Sequence, residues 1–460
     1  MATDPRRTRT PQGAGDNSSV TNPDVTNTDI PTRRIVSLAA SAFVVLAAEP
    51  LFLLVDTAVI GHLGQVPLAA LGAGGTVMTL LALVGTSLEY GTTGRAARFF
   101  GAGRRDAAVN EGVQASWLAI ILGVIAVGVG ELVAGPLTRL IVGSDGPVAA
   151  AANSWLRIAI LGLPGVLLVL AGNGWLRGVQ DARTPVVIVV TANTFSAIAS
   201  PLLVYPLGLG LEGSAIANVA AQWAGGGLCV LALRRQHVPS RPQWAVMGKQ
   251  LVISRDLVLR ASAFQTSYLT AAGVAGRMGP AQLAAHQIGM QLWNFTALLL
   301  DSFAIAAQSL VGASLGSGDV HAAKSTAWRV SRYGLAAGVV FATIAAAGWF
   351  VIPLVFSSDP AVAHQAHLLW PWLVAMMPVG GILFALDGVL IGAGDNSFLR
   401  TVTLVSALLG YIPLALCALI FGWGIGGVWA GLAAFILLRF LGMAWRTGSG
   451  RWLVTGESRA

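Results

Sequence analysis

Charged residues are scarce in this sequence. Only 10% of its 460 residues are Asp, Glu, Lys or Arg, whereas an ordinary soluble domain has about 25%. Hydrophobic residues make up 55%, and the mean hydropathy is +0.72. Because so few charges cannot cover a folded surface in water, the composition excludes an ordinary soluble domain and predicts an integral membrane protein.

Cysteine and histidine are also rare. The two cysteines, Cys229 and Cys417, both lie in apolar runs, so we expect small core residues rather than a disulfide or a metal site. The six histidines have no spacing typical of metal ligands. No Walker motif and no set of nucleophile and base is visible. The sequence therefore predicts neither an enzyme nor a bound cofactor.

Apolar runs of about 18 to 25 residues fill most of the chain, and this length is typical of membrane-spanning helices rather than of barrel strands. The fold class predicted is an all-α integral membrane protein with twelve transmembrane helices. We place them at about 35–60, 67–90, 112–135, 148–171, 186–206, 211–233, 251–273, 281–306, 331–355, 366–391, 401–420 and 424–445.

The placement of basic residues predicts the orientation in the membrane. Residues 1–34 lack the apolar core of a signal peptide and are expected to form a disordered cytoplasmic tail, with a second cytoplasmic tail at 446–460. Of the 28 Lys and Arg residues, all but Arg139, Arg157 and Arg277 fall on the side of these tails. This positive-inside bias places both termini in the cytoplasm, in a bacterial cytoplasmic membrane, and makes nucleic acid an unexpected partner.

An internal repeat divides the chain into two halves. GHLGQVPLAALG at 61–72 returns as GRMGPAQLAAHQ at 276–287, and LGLGLEG at 207–213 returns as FGWGIGG at 421–427. We therefore predict an N-lobe at 35–233 and a C-lobe at 251–445, joined by a cytoplasmic linker at 234–250. Two six-helix units entering the membrane in the same orientation are related by a pseudo-two-fold axis around a central cavity.

Polar residues at membrane depth are candidates for function, since an unpaired charge there is costly. Glu49 and Asp56 are seven residues apart, so they share one helix face about 10 Å apart, and Pro50 allows the helix to bend between them. The competing interpretation of both acids is that they are hydrated at the membrane interface. Two further helices have polar stripes that could complete a hydrated pocket with Asp56: Asn193, Ser196 and Ser200 on one, and Ser214, Asn218 and Gln222 on the other. The competing interpretation of these groups is structural hydrogen bonding between helices.

The predicted C-lobe has its own polar stripe. It consists of Gln287, Gln291, Asn294, Asp301 and Gln308 on one helix, with Asp387 on another. An ion pair with an arginine would give these two acids a structural role, but the predicted helices place no Arg or Lys at similar depth in this lobe. We therefore expect these residues, Gln308 apart, to line the substrate cavity or to serve as secondary coupling groups.

Several segments together resemble the DinF-like branch of the multidrug and toxic-compound extrusion (MATE) family. They are EPLFLLVDTAVIGHLG followed by PLAALG, LAAHQIGMQLWNFTALLLDSFAIAAQSLVGASLG, and DGVLIGAGDNSFLR. The resemblance implies two six-helix lobes and export of small organic compounds, cationic or amphiphilic, in exchange for H⁺ or Na⁺. It assigns ion coupling to Asp56 with Asn193. Ser200 stands where many relatives have a second acid, and the loss of that acid favours H⁺ over Na⁺. Asn218 stands where many relatives have Thr.

The functional hypothesis is therefore proton-coupled antiport by a monomer in the lipid bilayer, with Asp56 as the main coupling carboxylate and Glu49 as a further candidate. One alternative is Na⁺-coupled antiport on the same fold. Another is a lipid or lipid-linked precursor flippase, which would need a cationic central cavity, whereas the charges predicted at membrane depth are mostly acidic.

Overall fold

A computed structural model describes residues 30–143 and 145–457, so most of the predicted tail 1–34 lies outside the described residues. The helices are α1 Thr32–Gly61, α2 Gln65–Gly101, α3 Arg105–Val142, α4 Pro147–Ile160, α5 Leu163–Gly178, α6 Thr184–Val204, α7 Gly210–Arg234, α8 Trp244–Met278, α9 Pro280–Gly316, α10 Val320–Ala347, α11 Ile352–Phe356, α12 Pro360–Gly392, α13 Asn396–Val405, α14 Ile412–Ile420 and α15 Gly424–Gly448. A π-helical turn, Ser406–Tyr411, joins α13 to α14.

In residues 30–143 and 145–457, eleven units are long and apolar enough to cross a membrane, and α8 is long enough to be a twelfth. Ten are long and apolar enough to span a bilayer, with α13 and α14 counted as one, and the pair α4 and α5, bent by 49°, makes an eleventh. The twelfth is α8, whose 35 residues exceed the span length but whose Lys and Arg residues lower its hydropathy. The predicted all-helical architecture of two six-helix lobes is confirmed.

The helices extend beyond the apolar runs from which they were predicted. The run at 67–90 became α2, which continues to Gly101, and the run at 112–135 became α3, which starts at Arg105. Charged residues in these extensions are paired: Arg95 Nε donates to Glu111 Oε2 at 2.7 Å. Because this pair compensates both charges, the two helices continue together beyond the apolar runs.

The first helix of each half packs into the core of the other half. At the end of the molecule that carries Thr32 and Gly448, called here the termini end, Ile35 and Leu38 of α1 belong to the C-lobe core, whereas Ile60 at the other end of α1 belongs to an N-lobe core. Correspondingly, Met247 of α8 lies in an N-lobe core cluster. The two lobes are thus joined by exchanged helices as well as by the linker.

The lobes approach each other most closely at the termini end. A side-chain carbon added to Gly101 of α2 would overlap the carbonyl oxygen of Ala313 in α9, and one added to Gly316 of α9 would overlap that of Arg98 in α2. Only glycine allows backbones to pass at this separation. The structure is therefore closed between the lobes at this end.

We expect the Gly316→Ala substitution to destabilise this closed arrangement by about 1–3 kcal/mol, because the added methyl group must push α2 away from α9. Thermal unfolding in detergent would measure the change. Gly227→Ala is the matched control, since nothing lies within 4 Å of the position of its added carbon. Equal melting temperatures for the two variants would contradict the packing described above.

Both polar segments expected outside the lobes are more ordered than predicted. The connection predicted at 234–250 spans only 235–243, because α8 begins at Trp244. It is held on α3, where Gln114 Nε2 donates to the carbonyl of Arg241 at 3.0 Å. The predicted tail 446–460 begins within α15, and its Trp452 is 1% exposed in the C-lobe core. Burial of this tryptophan gives the chain after α15 a fixed path that polarity alone did not predict.

Candidate functional site

The N-lobe encloses a cavity of about 310 Å³ between α1, α2, α4, α5 and α7. Asp56 lines it and is only 3% exposed. The lining is otherwise largely apolar, with Phe52 and Trp155 among the aromatic groups. A carboxylate buried in a mostly apolar cavity is costly to charge, so Asp56 stays the leading candidate for a functional residue.

Asp56 is held by a hydroxyl group and not by a cation. Ser200 of α6, fully buried, donates its Oγ–H to Asp56 Oδ1 at 2.9 Å. Within residues 30–143 and 145–457, no Lys or Arg forms an ion pair with Asp56. The carboxyl group therefore has one neutral donor and no fixed counter-charge.

The other predicted N-lobe residues divide into two groups. Glu49 and Asn218 line the same cavity as Asp56, although Glu49 is exposed. Asn193, partly buried, does not line this cavity, and in the described part of the chain it has no hydrogen bond to Asp56. It precedes Ser200 on α6 by seven residues, or about 10 Å along the axis. The structure thus unites Glu49, Asp56, Ser200 and Asn218 but leaves Asn193 apart.

A second cavity, of about 320 Å³, lies mainly in the C-lobe, beside its interface with the N-lobe. It brings together Asn294 and Asp301 of the predicted stripe with Asp387 of α12. Gln287 and Gln291 do not line it and are exposed on earlier turns of α9. Other residues that line this cavity include Leu46, Tyr90, Arg260, Phe264, Gln308 and Phe384.

The expectation that no arginine reaches the depth of Asp387 is wrong. Asp387 Oδ2 accepts hydrogen bonds from Arg260 Nη2 at 2.7 Å and Arg439 Nη2 at 2.8 Å. The Arg439 guanidinium, 1% exposed, also lies over the Phe264 ring, with its carbon 4.4 Å from the ring centroid. Both arginines lie inside predicted helices, at 251–273 and 424–445, but they were counted with the cytoplasmic charges and not placed at the depth of Asp387. Asp387 is therefore part of an ion-paired cluster and not an unpaired carboxylate.

Asp301 links the two lobes. Tyr90 of α2 donates its hydroxyl proton to Asp301 Oδ2 of α9 at 2.6 Å. About two turns of helix further on, the Gln308 side-chain amide donates to the Tyr90 carbonyl at 2.5 Å. The half-buried Asp301 thus differs from Asp387 in bonding a neutral group of the opposite lobe.

A further buried ion pair, not predicted above, joins Glu89 of α2 to Arg177 of α5. Both side chains are nearly inaccessible, and the Arg177 carbonyl accepts a hydrogen bond from Ser309 of α9 at 2.6 Å. Arg177 had been counted among cytoplasmic residues. The partners are 88 residues apart, so no spacing rule could have paired them, although the presence of Glu89 near the end of an apolar run marked one of them.

Comparison with known proteins identifies the family. The MatE family model matches residues 41–202 and 257–416. The chain belongs to the MATE family. It is therefore a multi-pass membrane transporter of the multidrug and toxin efflux type, and not an enzyme. The two matched segments begin 216 residues apart, close to the displacement of 215 that relates the repeated sequences.

Individual MATE relatives include bacterial and plant proteins. DNA damage-inducible protein F of Escherichia coli is 31% identical over 421 residues, covering 87% of this chain and 90% of its own. Protein DETOXIFICATION 44, chloroplastic, of Arabidopsis thaliana is 30% identical over 91% of this chain and 83% of its own. A crystal structure of MATE in the bent conformation has a TM-score of 0.84 at 19% identity, covering 91% and 96% of the two chains. MATE structures of this kind have twelve transmembrane helices.

Proposed function

We propose that this transporter exports organic compounds in exchange for protons by alternating access, with Asp56 as the main coupling carboxylate. The observation that carries this proposal is the bond from Ser200 to an otherwise unpaired, buried Asp56. A charged carboxylate in this position costs several kcal/mol, whereas a protonated one needs only hydrogen-bond partners. Asp56 can therefore change charge between states of the cycle without breaking an ion pair.

The contrast with Asp387 supports this assignment. Two arginines hold Asp387, so protonating it would leave two buried cations without their counter-charge. Asp301, bonded by Tyr90, has no such obstacle and is the better candidate for secondary coupling. We accordingly assign coupling to Asp56 first and to Asp301 second, and a structural role to Asp387.

The mechanism follows from the position of Asp56 on α1. When a proton enters the N-lobe cavity and neutralises Asp56, its charge-assisted hydrogen bond from Ser200 weakens, and α1 is free to bend at Pro50. Substrate affinity then falls on the outer side. After the lobes rock, the proton leaves to the cytoplasm. One charge crossing the membrane gains about 2.3 kcal/mol per 100 mV.

The N-lobe cavity favours a cationic or amphiphilic substrate. Glu49 and Asp56 supply negative charge, and Phe52 and Trp155 supply aromatic surface, which together suit an organic cation. Competition between such a cation and a proton for Asp56 is a direct route to exchange. We place the termini in the cytoplasm of a bacterial cell, so that the closed termini end faces inward.

The two alternatives, Na⁺-coupled antiport and a lipid flippase, are each less well supported by the structure. A Na⁺ site commonly uses several oxygen ligands including acids, and Asp56 has Ser200 where a second acid would help. A flippase needs a cationic cavity. The argument against it was that charges at membrane depth are mostly acidic, and this argument is weaker now because Arg260 lines the C-lobe cavity. Asp387 nevertheless neutralises part of that charge, so we retain small-molecule export.

The experiment that tests the proposal is efflux from proteoliposomes with the pH and Na⁺ gradients imposed separately. Cationic, neutral and anionic compounds would be compared with a fluorescent phospholipid. We expect a cationic compound to be driven by the pH gradient alone. Movement driven only by Na⁺ would contradict proton coupling, and movement of the phospholipid without the cation would favour the flippase.

We expect Ser200→Ala to reduce proton-driven efflux about 3- to 10-fold, because removal of one hydrogen bond to a charged group costs about 1 kcal/mol or more. Initial efflux rates at several pH values measure the effect. Ser214→Ala is the matched control, since Ser214 bonds the Trp155 indole and the Leu211 carbonyl instead of Asp56. An unchanged pH profile in Ser200→Ala would remove Ser200 from the coupling site.

A further inference from the structure

The residues that follow α15 meet the N-lobe at the termini end. Gly456 donates its backbone N–H to the Leu315 carbonyl of α9 at 3.0 Å. Its own carbonyl accepts from Arg98 Nη1 of α2 at 3.0 Å. Glu457 forms an ion pair with Arg104, at the end of the α2 to α3 turn. The segment 449–457 therefore contacts both lobes at the place where they meet.

Arg98 is the centre of this contact. Its side chain is 3% exposed, and its second terminal nitrogen donates to the Ala393 carbonyl, at the end of α12, at 2.8 Å. One guanidinium of the N-lobe is thus bonded to two backbone carbonyls of the C-terminal half. The planar fork of arginine is suited to two such acceptors, whereas a lysine ammonium is a single flexible point of charge.

The segment is anchored on the C-lobe side. Trp452 is buried in the C-lobe core and donates its indole N–H to the Thr447 carbonyl at 2.9 Å. The hydrogen bond from Arg104 holds the pKa of Glu457 below its usual value, so this ion pair forms at neutral pH. Trp452 and the ion pair of Glu457 therefore hold Gly456 in a fixed position next to Arg98.

We propose that Arg98 and the segment 449–457 form a gate that holds the lobes together at the termini end and must release in every transport cycle. The inference rests on the proposed function in that alternating access requires this end to open. The bonds of Gly456 and Ala393 to Arg98 join opposite lobes, so they break when the lobes separate. Trp452 keeps the segment on the C-lobe and returns it to the same place on closing.

Two truncations at the C-terminus test the gate. A stop after Thr455 removes Gly456 and Glu457 but keeps Trp452, and a stop after Glu457 is the matched control. Spin labels at Arg183 and Ser397, which are exposed, equivalent in the repeat and on opposite lobes, report the lobe separation in lipid nanodiscs. Cys229 and Cys417 are replaced by alanine in all samples.

We expect the stop after Thr455 to raise the ratio of the open to the closed state about tenfold, from loss of the Gly456 hydrogen bonds and the ion pair. The control should keep the wild-type distance distribution. Arg98→Gln should resemble the shorter truncation, and Arg98→Lys should lie between. Identical distributions for the two truncations would overturn the gate, even if proton-driven efflux is intact. A widened distribution for the stop after Thr455, together with no proton-driven efflux by the control truncation, would instead overturn the proposed antiport.

Discussion

Replacing Asp56 by asparagine is expected to reduce proton-driven efflux at least about tenfold while leaving the protein folded. The substitution preserves shape and one oxygen acceptor for Ser200, 2.9 Å away, but removes the group that can change charge. Because no arginine or lysine pairs with Asp56 among the described residues, no buried cation is left behind. Initial rates in proteoliposomes with an imposed pH gradient would measure the loss.

The control for this prediction is Glu49→Gln. Glu49 lines the same cavity but is exposed, unlike the buried Asp56, and the proposed cycle does not require Glu49 to change charge. We expect it to raise the half-saturating concentration of a cationic substrate and to leave the pH dependence of the maximal rate intact. Full pH-driven efflux by Asp56→Asn would remove Asp56 from the mechanism.

The second large effect is expected from Arg439→Met, which should lower the free energy of unfolding by about 3–5 kcal/mol. The substitution leaves Asp387 with only Arg260, in a site where Asp387 itself is 4% exposed. Asp387 Oδ1 already lacks a hydrogen-bond partner among the described residues, so the remaining charge is poorly compensated. Thermal or denaturant unfolding in detergent would measure the loss.

Two further variants separate the buried pair from ordinary surface charge. The triple variant Arg260→Met, Arg439→Met and Asp387→Leu should recover most of the lost stability, since it removes all three charges of the cluster. Arg139→Gln should cost less than about 1 kcal/mol, because Arg139 and Asp145 form an exposed pair. If Arg439→Met and Arg139→Gln were equally mild, the cluster around Asp387 would not be structural.

The architecture could be predicted because it depends on local properties of the sequence. Apolar runs mark the spans, and the similarity of 61–72 to 276–287 marks the two halves. Helix ends could not be predicted in the same way, because their stability depends on partners such as Glu111 for Arg95, 16 residues away in another helix.

The site was predictable to the extent that it follows helix periodicity. The shared face of Glu49 and Asp56 and the stripe containing Ser200 both follow from it, and both reach the N-lobe cavity or its carboxylate. The pairing of Asp387 with Arg260 and Arg439 joins residues 127 and 52 positions apart. Such pairs depend on how helices pack, and a single sequence carries no spacing that indicates them.

The exchange of first helices between the halves has a consequence for the origin of the fold. In a single six-helix half, the groove for the first helix of the other half would be empty. In the C-lobe this groove receives Ile35 and Leu38, and in the N-lobe it receives Met247. Two copies of such a half, each inserting its first helix into the other, would fill both grooves at once. The chain thus has the geometry of an arm-exchanged homodimer whose subunits have been fused, and what would be a subunit interface is now the surface on which its lobes move.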